Sequence, residues 1–146
     1  MQISIETKVE SPVQQVVDGF NEELFMSLNP PFPPVDLKRF DGCKKGDFVE
    51  LKLNFLLFKQ IWKSEITEDV EKEGYFHFVD VGIKLPFFLK KWKHKHVIKK
   101  SNGGAIIEDN ITFNTPFILT DFVMYPALYL QFLYRKPIYK KIFKLK

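Results

Sequence analysis

A chain of 146 residues, 45% hydrophobic and 27% charged, has the balance of one globular domain over residues 1–146 rather than of a disordered polymer. Its net charge of +4 sits in the last twelve residues, RKPIYKKIFKLK; removing their six cations leaves −2, so no nucleic-acid partner is expected. The single cysteine, Cys43, rules out an intramolecular disulfide, fits a reducing, cytoplasmic setting, and belongs to no nucleophile motif.

Residues 2–10 alternate, with Ile3, Ile5, Thr7 and Val9 on one side, and predict a half-buried strand. Ser11-Pro12 predicts a helix start with Ser at the cap, followed by Val13, Val16, Val17 and Phe20 at helical spacing. A second short helix holds Leu24, Phe25 and Leu28. NPPFPP, residues 29–34, is a loop, because proline excludes helix and sheet interiors. Val49, Leu51, Leu53 and Phe55 alternate with polar residues in a strand. Residues 58–67 give another, with Trp62 and Ile66, and residues 75–82 a third after a turn at 71–74. The hydrophobic LPFFL loop follows. From about Thr120 the pattern is helical to Arg135, with a kink at Pro126 and an interruption at Pro137. The apolar window 117–134 approaches the length of a membrane span. Asp121, Pro126 and Gln131 break it, and a charge near mid-bilayer costs about 2.5–3.5 kcal/mol, so a buried helix is expected. Closely spaced strands pair antiparallel, which predicts an α+β fold: a sheet of about six or seven strands packed on a long C-terminal helix.

Between Trp92 and Phe113 the sequence is more specific. Asn102-Gly103 is a hairpin signal, read as a type I′ turn. With those two residues as the loop, Ser101 meets Gly104, Ile98 meets Ile107, His96 meets Asp109, His94 meets Ile111 and Trp92 meets Phe113. By parity His94, His96 and Asp109 then share the inward face with apolar residues, and His96 and Asp109 are cross-strand neighbours. A buried pair of this kind satisfies itself, and raises the histidine pKa while lowering the aspartate's against the opposing effect of burial. Such a pair either fixes register or supplies a polar anchor, or an acid/base couple, inside an apolar cavity. Two histidines and an aspartate also form a possible three-ligand metal set; no His-x-x-x-His spacing supports it, and no metal or other cofactor is expected. Sixteen phenylalanines are more than a small core needs, which suits a Phe-rich core or a Phe-lined cavity.

The run Phe78-x-Asp80, then Pro86-Phe87, Trp92-x-His94-x-His96, continuing through GGAIIEDNITFNTPF with Asp109, Phe113 and Pro116, resembles the SRPBCC (START-like, helix-grip) superfamily. Within it, the resemblance is to a bacterial branch without a settled activity, related to polyketide cyclases and the birch-pollen-allergen fold. Leu85 departs from the glycine usual before that proline. The resemblance implies a curved sheet gripping the C-terminal helix around a hydrophobic cavity. The implied function is binding or carriage of a small lipid, polyketide or aromatic ligand.

Sheet-side candidates for contact with such a ligand are Trp62, Phe76, Phe78, Trp92, Ile107, Ile111 and Phe113. Helix-side candidates are Phe122, Tyr125, Tyr129, Phe132 and Leu133, with His94, His96 and Asp109 at its polar end. The alternatives are a cyclase- or dehydratase-type enzyme using His96 with Asp109, and a module docking on membrane surfaces through LPFFL and the basic tail.

Overall fold

The computed structural model describes residues 1–145. Strand β1 (Gln2–Val9) is followed by helices α1 (Val13–Asp18) and α2 (Glu22–Ser27). Six strands follow: β2 (Val35–Phe40), β3 (Phe48–Phe55), β4 (Phe58–Lys72), β5 (Tyr75–Lys84), β6 (Lys91–Ser101) and β7 (Gly104–Asn114). The chain then enters α3 (Ile118–Leu133) and α4 (Arg135–Ile142). The seven strands form one antiparallel sheet in the order β1-β7-β6-β5-β4-β3-β2, so β1 returns to pair with the last strand. Register shifts between Leu37 and Arg39 and between Ile66 and Glu68 bend the ladder, as bulges do, and give the sheet its curvature.

Local chemistry explains most boundaries. In β1 the buried residues alternate strictly, as the period-2 pattern requires. Asn21 caps α2, its side chain accepting from Leu24 N–H at 3.0 Å. The expected cap by Ser11 is not made: Pro12 occupies that position, and Ser11 instead donates its N–H to Phe143 O at 3.0 Å, tying the first helix to the end of the chain. The long C-terminal helix is divided at Tyr134. Pro137 lies in the first turn of α4, where its missing N–H breaks the ladder carried over from α3.

The β6–β7 hairpin has the register read from the sequence, with His96 opposite Asp109 and His94 opposite Ile111. Its turn differs. Among the described residues no non-glycine has positive φ, so Asn102 is negative while Gly103 is +76°, the φ pattern of a type II turn rather than type I′. Both turns span two residues, so the pairing survives. Gly104 is fixed for another reason: a Cβ there would stand 2.0 Å from Val9 O, at the end of β1 where it pairs with β7.

Two apolar clusters fill the space enclosed by the sheet. One joins α1 and α2 to Phe78, Ile98 and Ile107 and to Tyr139 and Phe143 at the chain's end. The other joins Ile3, Trp92, Ile111 and Phe113 to Leu128 and Phe132 of α3. Helix α3 is not the buried helix its apolar sequence suggests. Only Asp121, Leu128 and Phe132 are buried, while Ile118, Leu119, Phe122, Val123 and Leu130 face outward. Among the described residues, no helix is long and apolar enough to cross a membrane.

Candidate functional site

The two apolar clusters do not meet everywhere. Between sheet and helix lies a cavity of about 640 Å³, within the range of small-molecule pockets. Leu28, Pro30 and Pro33 close one side, Leu51, Leu53, Trp62 and Ile66 form the floor, and Met124, Ala127, Leu128 and Gln131 come from α3. Seven of the phenylalanines line it: Phe25, Phe32, Phe55, Phe78, Phe87, Phe88 and Phe132. The aromatic excess therefore serves a cavity wall as well as a core, and leaves the hollow unfilled.

Of the residues expected to contact a ligand, Trp62, Phe78, Trp92, His94, His96 and Phe132 line this space. Phe76, Ile107, Ile111 and Phe113 face the same way but are buried in the two clusters rather than on the cavity wall. Tyr125 packs against the second cluster. Phe122, Tyr129 and Leu133 point outward. The helical period was legible, but which stripe of an almost wholly apolar helix turns inward was not. The LPFFL loop divides: Phe88 reaches the cavity, and Phe87 lines its edge while remaining 63% exposed.

The polar end of the cavity belongs to a cluster of four ionisable groups on three adjacent strands: Asp80, His94 and His96 line the wall, while Asp109, expected at the ligand's polar end, is buried off it. Register places His96 directly opposite Asp109 on β7 and His94 directly opposite Asp80 on β5. The hydrogen bonds run diagonally instead. His94 Nε2 lies 2.8 Å from Asp109 Oδ1, and His96 Nε2 lies 2.8 Å from Asp80 Oδ2. The directly opposite pairs are longer: 3.9 Å from His96 Nδ1 to Asp109 Oδ1, and 3.7 Å from His94 Nδ1 to Asp80 Oδ2. This corrects the expected His96–Asp109 hydrogen bond. An imidazole is long enough that its far nitrogen passes the residue opposite and reaches the diagonal neighbour. An ionised carboxylate only accepts, so each Nε2 donates.

Burial decides the charge states. His96 is pushed down to about 4 by burial first and by the neighbouring His94 second, which outweigh its hydrogen bond to Asp80. Its expected upward shift is thus reversed: desolvation wins over pairing. Burial pushes Asp80 up, but the His96 hydrogen bond and the two imidazoles hold it below the usual carboxylate range. Asp109 is likewise pushed up by burial but held below the usual carboxylate range by its hydrogen bond to His94 and by Arg135. The site therefore contains two carboxylates beside an imidazole that resists protonation. Cys43, its thiol pushed up to about 12 by burial, takes no part.

Two members of this end were not singled out from the sequence. Asp80 stood only within the Phe78-x-Asp80 motif; its parity with Phe78 signals the inward face, but the six-residue connection from β5 to β6 gives no register from a turn rule. Arg135 was counted in the basic tail. It lines the cavity, with its guanidinium 4.3 Å above the Phe132 ring and Nη1 3.8 Å from Asp109 Oδ1. The remaining tail is also structural in part, since Tyr139 and Phe143 are buried and Lys136 Nζ donates to Glu6 O. Lys146, also part of the expected membrane-docking tail, lies outside the described residues.

No family model matches the chain, and no curated protein matches it. Solved structures do. Protein CV1439 from Chromobacterium violaceum superposes with a TM-score of 0.72 at 10% identity, covering 99% of this chain and 98% of its own. The di-domain ARO/CYC StfQ from the steffimycin biosynthetic pathway superposes at 0.70 with 10% identity, covering 97% of this chain and 50% of its own. Ara h 8.0201 superposes at 0.56 with 16% identity, covering 94% and 96%. The chain has the helix-grip, Bet v 1-like fold. At these identities the likeness carries the fold and no particular ligand.

Proposed function

We propose that the chain is a ligand-binding domain that carries a small hydrophobic molecule with one polar end in the cavity between sheet and α3. The observation that carries this reading is the cavity itself: about 640 Å³, walled by aromatic and aliphatic side chains and polar at one end, where Asp80, His94, His96 and Arg135 gather. Filling such a space with water leaves a large apolar wall hydrated; a lipid, polyketide or aromatic ligand removes that cost. The likeness to Ara h 8.0201 and StfQ supports a cavity fold and leaves the ligand to this chain's own residues. A cyclase-type reaction has less support. A general base works best with a pKa near the working pH, and His96, at about 4, is a weak one. The test is native mass spectrometry of protein purified from its own host. A co-purifying apolar molecule released on denaturation is expected; protein that arrives empty and binds no fatty acid or fused aromatic at micromolar concentration would sink the reading.

One further observation favours loading at a membrane surface. The two-residue turn between β3 and β4 consists of Leu56 and Leu57, which are 93% and 95% exposed. Phe55 and Phe58, stacked on each other at its base, continue edge-on to Phe88 and tilted to Phe87 of the neighbouring loop, so the apolar tip runs into the cavity edge.

A further inference from the structure

Asp80, His94 and His96, all on the cavity wall, each offer one ligand atom, and these atoms lie within 4.8 Å of one another. We propose that they bind a divalent transition-metal ion of the zinc class, with its remaining coordination positions open to the cavity. The site goes beyond ligand carriage and stands or falls separately from it.

The donor atoms are His94 Nδ1, His96 Nε2 and Asp80 Oδ2. The last lies 3.7 Å from the first and 2.8 Å from the second. Donors held at roughly 2.0–2.2 Å around a tetrahedral ion stand about 3.3–3.5 Å apart, so modest side-chain adjustments bring this set onto one ion. Two imidazoles with one carboxylate select a borderline ion such as zinc, cobalt or ferrous iron over magnesium or calcium, which prefer all-oxygen sets.

The surrounding groups make the stronger case. Histidines that ligate a metal donate their other ring N–H to a carboxylate or carbonyl. His94 already does so, Nε2 to Asp109 Oδ1 at 2.8 Å, which leaves Nδ1 for the ion. Asp80 is oriented in the same manner: the Trp92 indole N–H donates to Oδ1 at 3.1 Å, leaving Oδ2 facing the histidines. The histidine–aspartate pairing without a metal is incomplete. Among the described residues, His96 Nδ1 and Asp109 Oδ2 are buried with no hydrogen-bond partner. A pair that served only to fix strand register has no use for those orphans. Metal ligation accounts for the first. When His96 Nε2 takes the ion, its proton moves to Nδ1, which faces Asp109 at 3.9 Å from Oδ1. Asp109 then stands behind both rings. No proton leaves the site in that change of tautomer, and the carboxylates of Asp80 and Asp109 balance the ion's two positive charges.

The experiment is a titration of chelator-treated protein with Co²⁺ and Zn²⁺. One equivalent of Co²⁺ should produce visible d–d absorption that Zn²⁺ displaces. His94→Gln and Asp80→Asn should weaken Co²⁺ binding by more than about 100-fold, and Asp109→Asn by about 10–100-fold. His77→Gln is the control, since His77 on the outer face bonds Tyr75 and Glu68 and should leave binding unchanged. Imidazole ¹⁵N NMR of the wild-type protein provides the readout independent of variant folding: Zn²⁺ should shift His94 Nδ1 and convert His96 from the Nε2–H to the Nδ1–H tautomer. Absence of d–d bands at millimolar Co²⁺, unchanged ring nitrogens with Zn²⁺, or binding lost in His77→Gln but kept in His94→Gln would each overturn the proposal.

Discussion

The rings of His94 and His96 stack with centroids 3.5 Å apart and planes 27° from parallel, and both side chains are almost wholly buried. Two imidazoliums cannot share that spacing in a poorly solvated site without strong repulsion. Phe78 covers the other side of His96 at 4.2 Å, and Phe20 and Phe25 meet it as well, so solvent cannot relieve the charge. The stack makes one histidine neutral by construction and links site chemistry to stability.

That link sets a pH dependence for the metal-free protein. The groups facing His96 are His94, Asp80 and Asp109. Below about pH 6.5 the unfolded chain binds a proton at His96 that the folded chain refuses until about pH 4. Stability should therefore fall as pH drops through that window, by about 3 kcal/mol at most. Asp80 and Asp109, both held low, stabilise the fold above the ordinary aspartate pKa and lose that contribution only at more acid pH. Urea midpoints measured with chelator between pH 7 and 4.5 check this. A midpoint that stays level or climbs toward pH 4.5 would mean His96 is protonated in the folded chain.

The diagonal bond between His94 and Asp109 predicts a coupled pair. Replacing His94 by Leu leaves a carboxylate, 1% exposed, without its hydrogen-bond donor and with the Arg135 guanidinium 3.8 Å away. The expected loss is about 3–5 kcal/mol. Adding Asp109→Leu should restore part of it, with an interaction energy of about 1–3 kcal/mol in a double-mutant cycle. Costs that simply add would show that the two side chains do not act as a pair.

The hairpin containing these residues was legible to the level of individual partners, because a two-residue turn and period-2 alternation leave one register consistent with an apolar inward face. What parity cannot supply is how far a side chain reaches, so His96 was matched with the aspartate opposite rather than the one diagonal to it. The sign of its pKa shift was misread for a related reason: the carboxylates are visible in sequence, whereas Phe20, Phe25 and Phe78 arrive from the α1–α2 connection, α2 and β5 and can only be seen once the chain is folded. Asp80 lay in a strand whose connection to β6 carries no turn rule. Strand β2, a short edge element after a proline-rich loop, has too little apolar alternation to stand out. Arg135 was hidden by its setting in a lysine-rich tail, where charge composition says nothing about direction. The architecture rests on alternation and turn chemistry, which are local; the site rests on contacts among three strands and a helix.

A change on the cavity floor should separate ligand binding from folding. Leu51 lines the cavity from β3, away from the ionisable cluster, and is only partly buried. Leu51→Trp places an indole in the open space rather than into close-packed core, so the thermal midpoint should move by only a few degrees. Binding of a fluorescent fatty acid should weaken at least about tenfold, the scale of 1.4 kcal/mol. Unaltered affinity would place the ligand elsewhere on the protein.

The leucine turn yields the last prediction. Leu56 and Leu57 are so exposed that aspartate at both positions should change folding stability by less than about 0.5 kcal/mol each. Inserting two leucines into the acyl boundary of a bilayer is favourable, and two aspartates there are costly, so partition onto vesicles should fall by about tenfold or more. Co-sedimentation with vesicles of mixed zwitterionic and anionic lipid measures the difference. Shortening α4 is a poor substitute for this experiment, since Tyr139 and Phe143 are buried in the core and their removal would unfold the chain rather than strip charge from it. Wild type and the double aspartate variant sedimenting alike would assign the exposed turn no part in membrane contact, and the cavity would then load from solution.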